Sequence, residues 1–309
     1  MSDVLPLEIW QIIFDYSDFK EKIIIRQIGV RTLNLKITDL YNIDYGFLEK
    51  LSDKILLNYP HVTQLKATRN IKIINLNHLT KLEKLDISWE CGVNNNGIKD
   101  LNLIELDISY NQKITNIGNM TKLQKLYAMH NIINNNGIKN INPTYLNIYQ
   151  TKTITDLNHM TNLQILHASY SYINDDSVKK LNLIEFDASS CFYLTSVSHM
   201  TNLKKLNASM SCGIGNSGIK NLDLVELNVS YNKFISNVNH LKNLKVLNAT
   251  YCMINDNGIK MLNLIILNAE RNSYITDVSH MTKLKILNGI NSGIIRENVK
   301  NLDLNICHL

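Results

Sequence analysis

Five histidines, His78, His159, His199, His240 and His280, recur along this chain at steps of 40 or 41 residues or twice that. Imidazoles in a row are zinc-ligand chemistry, and Cys91, Cys191, Cys212, Cys252 and Cys307 offer thiolates as well. The spacing that draws attention to them also argues against a metal. It is a multiple of a shorter period of 20 or 21 residues, so each histidine belongs to a separate repeat. If repeats stack as strands ~4.8 Å apart, histidines two repeats apart stand at least ~10 Å from each other, whereas zinc ligands lie within about 2 Å of the ion. The expected role is a polar cap on a tight turn, with no metal and no cofactor. The cysteines are odd in number and lack paired metal spacing, as expected of reduced thiols inside a cell. Phosphate-cradling glycine loops, an HExxH helix and a glycine-flanked serine are absent from the sequence, and no enzyme is expected.

The elements that would position such residues follow from the period. Equivalent apolar residues fall at Val62, Leu82, Leu103, Leu123, Pro143, Leu163, Leu183, Leu203, Leu224, Leu244, Leu264, Leu284 and Leu304. Within a unit the pattern is L-x-x-L-x-L-x-x-N, as in Leu103, Leu106, Ile108 and Asn111, or Leu123, Leu126, Ala128 and Asn131. Alternation about the second and third apolar positions predicts a short strand with one face inward, and the Asn-rich stretch after it a turn. One unit buries about four apolar side chains, roughly 1.5 to 3 kcal/mol each, against ~1 to 2 kcal/mol of backbone entropy per residue. A single coil therefore cannot stand alone; stacking must supply the balance.

This pattern resembles the leucine-rich repeat over residues 62–309. The resemblance implies an α/β solenoid of about thirteen coils, a horseshoe with a parallel sheet on its concave face and short helical turns on its convex face. Coils alternate in type: "NNGIKDLNL" predicts a short helical return and "ITDLNHMTNL" a tighter irregular one. Asn70, Asn111, Asn131, Asn232 and Asn272, with Cys191 and Cys252 in the same column, are expected to bond backbone groups in the bend.

On the solvent face of each strand one column reads Asp86, Asp107, Asn147, Asp187, Asn207, Asn228, Asn248, Asn268 and Asn288, which predicts amides bonding along the column. Departures from that monotony are the candidate partner-binding residues: Lys125, Tyr127, Met129, Tyr145, Tyr149, Ile165 and His167. Ordinary drift within a repeat is the competing explanation. A second, apolar row holds Val246, Ile266, Ile286 and Ile290.

The opening differs from the rest. Pro6 and Glu8 suit a first helical turn, and Ile9, Ile12, Ile13 and Tyr16 share one face. Asp18 and Glu21 read as a capping box for a second helix carrying Phe19, Ile23, Ile24 and Ile28. The segment "LPLEIWQIIFDYSDFKEKIIIRQI", through Leu5, Pro6, Glu8, Ile9, Ile13, Phe14, Tyr16, Ile24, Arg26 and Ile28, resembles an F-box. That resemblance implies docking of Leu5, Pro6, Ile9 and Ile13 on the Skp-type adaptor of a cullin-RING ubiquitin ligase, with the repeats holding an unnamed protein substrate. Where that family has a third helix, this chain continues "GVRTLNLKITDL", already strand-like. The alternative is a repeat-protein cap with no ubiquitin link. Residues 1–30 thus form the box-like segment and 31–61 a linking strand and helix, the helix spanning 45–58 with Leu48, Leu51 and Ile55 on one face.

Composition bounds the rest. Of 309 residues 45% are hydrophobic and 19% charged, which is globular, and no run is long enough for a membrane span. A net charge of +5, with lysines spread throughout, makes nucleic acid the weaker expectation. The start lacks a secretory signal, so an intracellular location, cytoplasm or nucleus, is expected. Heavy use of Asn, together with the box-and-repeat layout, resembles proteins of giant DNA viruses, which would place the chain in a host cell. The last strand, "LDLNICHL", is expected to leave an edge able to template weak self-association.

Overall fold

The structure, a computed structural model, describes Gln11, Ser17, Glu21, Lys22, residues 36–43 and residues 45–309. Leu5, Pro6, Ile9 and Ile13 lie outside the described residues. The chain divides at Pro143 into two compact units.

The first unit runs β1 (Asp39–Leu40), α1 (Tyr45–Leu48), α2 (Asp53–Leu56), β2 (Gln64–Lys66), β3 (Lys84–Asp86), α3 (Asn95–Ile98), β4 (Glu105–Asp107), β5 (Lys125–Tyr127) and α4 (Asn135–Ile138). β1 through β5 pair in parallel in chain order. The second unit runs β6 (Tyr145–Asn147), β7 (Ile165–His167), α5 (Asp175–Val178), β8 (Glu185–Asp187), β9 (Lys205–Asn207), β10 (Glu226–Asn228), β11 (Val246–Asn248), α6 (Asp256–Ile259), β12 (Ile266–Asn268), β13 (Ile286–Asn288) and β14 (Ile306–His308). Short 3-10 turns at Asn216–Ile219 and Arg296–Val299 take the place of a helix in two of its coils. β6 through β14 also pair in parallel, each with the next. Each unit is a parallel β-solenoid, and every one of the thirteen apolar phase markers is followed two residues later by a strand.

Register stacks like on like. The middle residue of successive strands pairs Leu65 with Leu85, Leu106 and Leu126 in the first unit, and Leu227 with Leu247, Leu267 and Leu287 in the second, all buried. Each such side chain contributes about 1.5 to 3 kcal/mol through burial.

The asparagine column is the polar counterpart of this core. Asn111 Nδ2 donates to Ile87 O at 2.9 Å and Val93 O at 3.3 Å, both in the preceding coil, while its Oδ1 accepts from Lys113 N at 3.0 Å. Asn232 Nδ2 reaches Ala208 O, Cys212 O and Ile214 O, and its Oδ1 accepts from Phe234 N and Ile235 N. The bonds thus tie coil to coil as well as closing the bend. Cys191 does part of this work, its Sγ donating to Ala168 O at 3.1 Å. Three of the five histidines behave as turn caps, His199, His240 and His280 Nε2 being hydrogen-bonded to Val178, Ile219 and Ile259 O at 3.2, 2.9 and 3.4 Å, whereas His78 Nε2 is buried without a hydrogen-bond partner.

Two expectations are corrected. The solvent-face Asx residues do not bond along their column as amide ladders do. Each instead accepts from the backbone N–H two residues on, as Asp107 does from Ser109 at 2.8 Å and Asn228 from Ser230 at 3.0 Å. The chain is leaving the strand there, and an Asx turn satisfies an N–H that would otherwise face solvent. The single helix expected over 45–58 is two one-turn helices, α1 and α2, with Leu51 buried between them and Leu56 rather than Ile55 facing the core. Ser52 and Asp53 begin a new turn. Asp53 Oδ1 accepts from Ile74 N and Asn75 N, the place that Asp256 takes in a later coil by accepting from Thr276 N and Asp277 N.

Glycine in the helical coils answers to close approach. A Cβ on Gly137 would lie 2.1 Å from Thr115 O in the preceding coil. Ahead of β1, Gln11 exchanges two hydrogen bonds with the Lys36 backbone, at 3.2 and 3.0 Å.

Candidate functional site

The sequence-selected residues occupy the solvent face of the strands, within their own units. In the first, Lys125 and Tyr127 flank buried Leu126 on β5, and Lys125 Nζ pairs with Glu105 at 3.8 Å. Tyr127 replaces the Asx of other strands, so the turn after it lacks that acceptor; Met129 N donates instead to Ser109 Oγ of the preceding coil at 3.3 Å. In the second unit Tyr145 and Ile165 are register partners, and the Tyr145 ring meets the His167 ring edge-on at 5.4 Å. Tyr149 lies edge-on to Tyr170 at 5.8 Å. His167 Nε2 approaches Glu185 Oε1 at 3.3 Å, and both line a groove that also takes in Lys205 and Glu226, themselves paired at 3.0 Å. Of the apolar row, Val246, Ile266 and Ile286 are in register on β11 to β13, and it is Ile306 of β14, not Ile290, that continues it. Ile290 stands exposed two residues beyond β13.

One surface was missed by looking only at strand faces. The eighth residue of every coil from Arg69 to Asn291 adopts a left-handed backbone, with φ between 46 and 61°. That conformation favours Gly or Asn, yet among these residues are Trp89, Tyr110, His130, Tyr170, Tyr231 and Tyr251. The backbone is held there by the coil: Tyr110 N donates to Met129 O at 2.9 Å and Tyr231 N to Thr250 O at 2.9 Å. Among the described residues every exposed Trp, Tyr or Phe side chain sits at the eighth to eleventh position of a coil, including Tyr172, Phe192, Tyr193, Phe234 and Tyr274. In the first unit the column is a face-to-face stack: Trp89 on Tyr110 at 4.4 Å and 8°, and Tyr110 on His130 at 4.6 Å and 22°. The Arg69 guanidinium lies 4.4 Å over the free face of Trp89. Aligning the coils and reading down the eighth column would have found it; reading along each strand could not.

The four buried thiols are not poised for chemistry. Burial pushes Cys91, Cys191 and Cys252 up to about 11 and Cys212 to about 12, so none forms thiolate near neutrality. Among the described residues no group of three His, Cys, Asp or Glu side chains could hold a metal ion, and no helix is long and apolar enough to cross a membrane.

No family model matches the chain, and no curated protein matches it. Among solved structures, an internalin (inlF) from Listeria monocytogenes is similar, with 20% identity and a TM-score of 0.51, covering 98% of this chain and 98% of that one. The fold is that of the leucine-rich-repeat proteins. A leucine-rich-repeat protein from Leptospira interrogans is similar at 16% identity and a TM-score of 0.43, over 94% of this chain and 98% of that one.

Proposed function

We propose that this leucine-rich-repeat chain is a non-enzymatic protein-binding scaffold that serves, inside the cell, as the substrate-recognition subunit of a cullin-RING ubiquitin ligase. The scaffold reading rests on one observation above all: aromatic side chains are held half-buried or exposed on rigid coils, as in Tyr145 against His167 and Trp89 against Tyr110. Amphipathic rings on a fixed frame cost little conformational entropy to bind and are the usual anchors of protein interfaces. Burial raises the pKa of all four buried thiols, which argues against any of those four as a nucleophile. The ligase link rests on the F-box resemblance of residues 5–28, with Leu5, Pro6, Ile9 and Ile13 turned to the adaptor.

Pull-down with purified Skp adaptor tests that link. Wild type should capture it, and Ile9→Asp combined with Ile13→Asp should not, while the repeats melt unchanged. Equal capture by folded wild type and variant, or none by either, would leave a scaffold whose N-terminal helices serve only as a cap.

A further inference from the structure

We propose that the turn flank of the first three leucine-rich repeats is a docking site for an acidic, extended segment of a partner protein. The proposal rests on the scaffold reading above and is independent of the adaptor segment. Three cations meet there without carboxylate partners. Arg69 lies over Trp89, whose other face lies on Tyr110, and its guanidinium enters no ion pair. Lys72 Nζ donates to the backbone O of Glu49 at 2.9 Å, and Lys113 Nζ to Cys91 O at 3.1 Å. Both ammoniums are aimed by neutral carbonyls and neither is in an ion pair. By contrast Lys84, Lys204 and Lys205 each hold a carboxylate at 3.0 Å, from Glu105, Asp223 and Glu226. Glu49 and Glu90 also line the grooves about Arg69, two carboxylates against three cations, and pair with none of them.

Shape narrows the occupant. Lys72 and Lys113 hold the same place two coils apart, hence about 10 Å apart at ~4.8 Å per coil. Between them the middle coil carries Gly92, where a Cβ would lie 2.5 Å from Ile71 O and Ile73 O, so at the equivalent position that coil adds no side chain. A polyproline II segment returns to the same side every three residues, roughly 9.3 Å on, which sets acidic residues at i and i+3 against the two lysines. Ile71, 68% exposed, and Trp89, 40% exposed, offer apolar contact to a residue between them. Base stacking by a single-stranded nucleic acid is disfavoured, because the faces of Trp89 and Tyr110 are already covered by neighbours.

The test is fluorescence anisotropy of the full chain with a labelled Pro-Glu-Pro-Leu-Glu-Pro peptide, its Gln-for-Glu analogue and a labelled oligouridylate. Saturable, salt-sensitive binding of the Glu peptide alone is expected. It should weaken about tenfold or more in Arg69→Gln and in Lys72→Gln with Lys113→Gln, since charge-assisted hydrogen bonds are lost. Arg69→Lys should not restore it, lacking the planar fork. Lys242→Gln with Lys283→Gln, the same charge change in the second unit, should leave it intact. Equal binding of the Gln peptide, unchanged binding by the folded Arg69 and lysine variants, or preferential oligouridylate binding lost in those variants would overturn the proposal. Adaptor capture by the same preparation reports on the ligase reading separately, so either can fail alone.

Discussion

The turn flanks of the two units share a backbone and differ in what they carry. In the first, Arg69, Trp89, Tyr110 and His130 close face to face. In the second the same column holds Tyr170, Ser190, Met210, Tyr231, Tyr251 and Arg271; the Tyr231 and Tyr251 rings tilt by 38° at 5.4 Å, and no continuous stack forms among them. The left-handed φ is common to both. Side-chain stacking therefore does not impose the turn. The asparagine column, the Asx turns and the inter-coil N–H bonds impose it, and the eighth side chain is left to vary.

If the frame is shared, damage to it should cost alike in both units, and this is the largest expected effect. Asn111→Leu and Asn232→Leu each leave buried carbonyls without donors, and each should lower stability by ~2 to 4 kcal/mol, read from urea midpoints at constant slope. A cost confined to one unit would break the comparison.

Substitution at the eighth position should separate the flanks. Trp89→Ala loses a partner on each face and should cost about 1 to 2 kcal/mol. Tyr251→Gly relieves a left-handed backbone with little stacking to lose, and should be neutral or stabilising by up to ~1 kcal/mol in thermal melts. Equal losses for the two would mean that the second column is also held by its rings.

Acid should sharpen the contrast by a smaller amount. In the second unit, backbone N–H donors from Asn158 and Ser279 hold Asp156 and Asp277 below the usual carboxylate range, and the Asn243 amide does so for Asp223. Their contribution is present above the unfolded carboxylate pKa and is lost as pH falls through the lower folded values. Burial moves Asp107 of the first unit upward, so its sign is opposite: its contribution is full at low pH and declines as pH rises through its raised value. Hydrogen exchange on acidification below about pH 4 should therefore show protection falling first around Asn158, Asn243 and Ser279, while the β4 turn holds.

How much was legible depends on the range of the forces involved. Strand positions were legible because a period of 20 or 21 residues places Leu106, Leu126 and their equivalents inward wherever the coils stack. The asparagine column was legible because an amide at the ninth position has backbone to satisfy. The sequence alone also singled out Tyr127 and His167 as breaks in the Asx column. It did not disclose that Met129 N then turns to Ser109 of another coil, since that bond joins residues 20 apart. A long helix over 45–58 was read from apolar spacing; Leu51 instead ends one turn and Ser52 begins the next, because an adjoining coil supplies the partners of Asp53. The sequence by itself determined the repeat, its inward residues and its turn asparagines, all local consequences of residue type and spacing. Only the tertiary structure decided which exposed rings touch, that Arg69 lies over Trp89, and that Lys72 and Lys113 reach the backbone carbonyls of Glu49 and Cys91 rather than a carboxylate. Those facts depend on neighbouring coils meeting in register, and no single coil contains them.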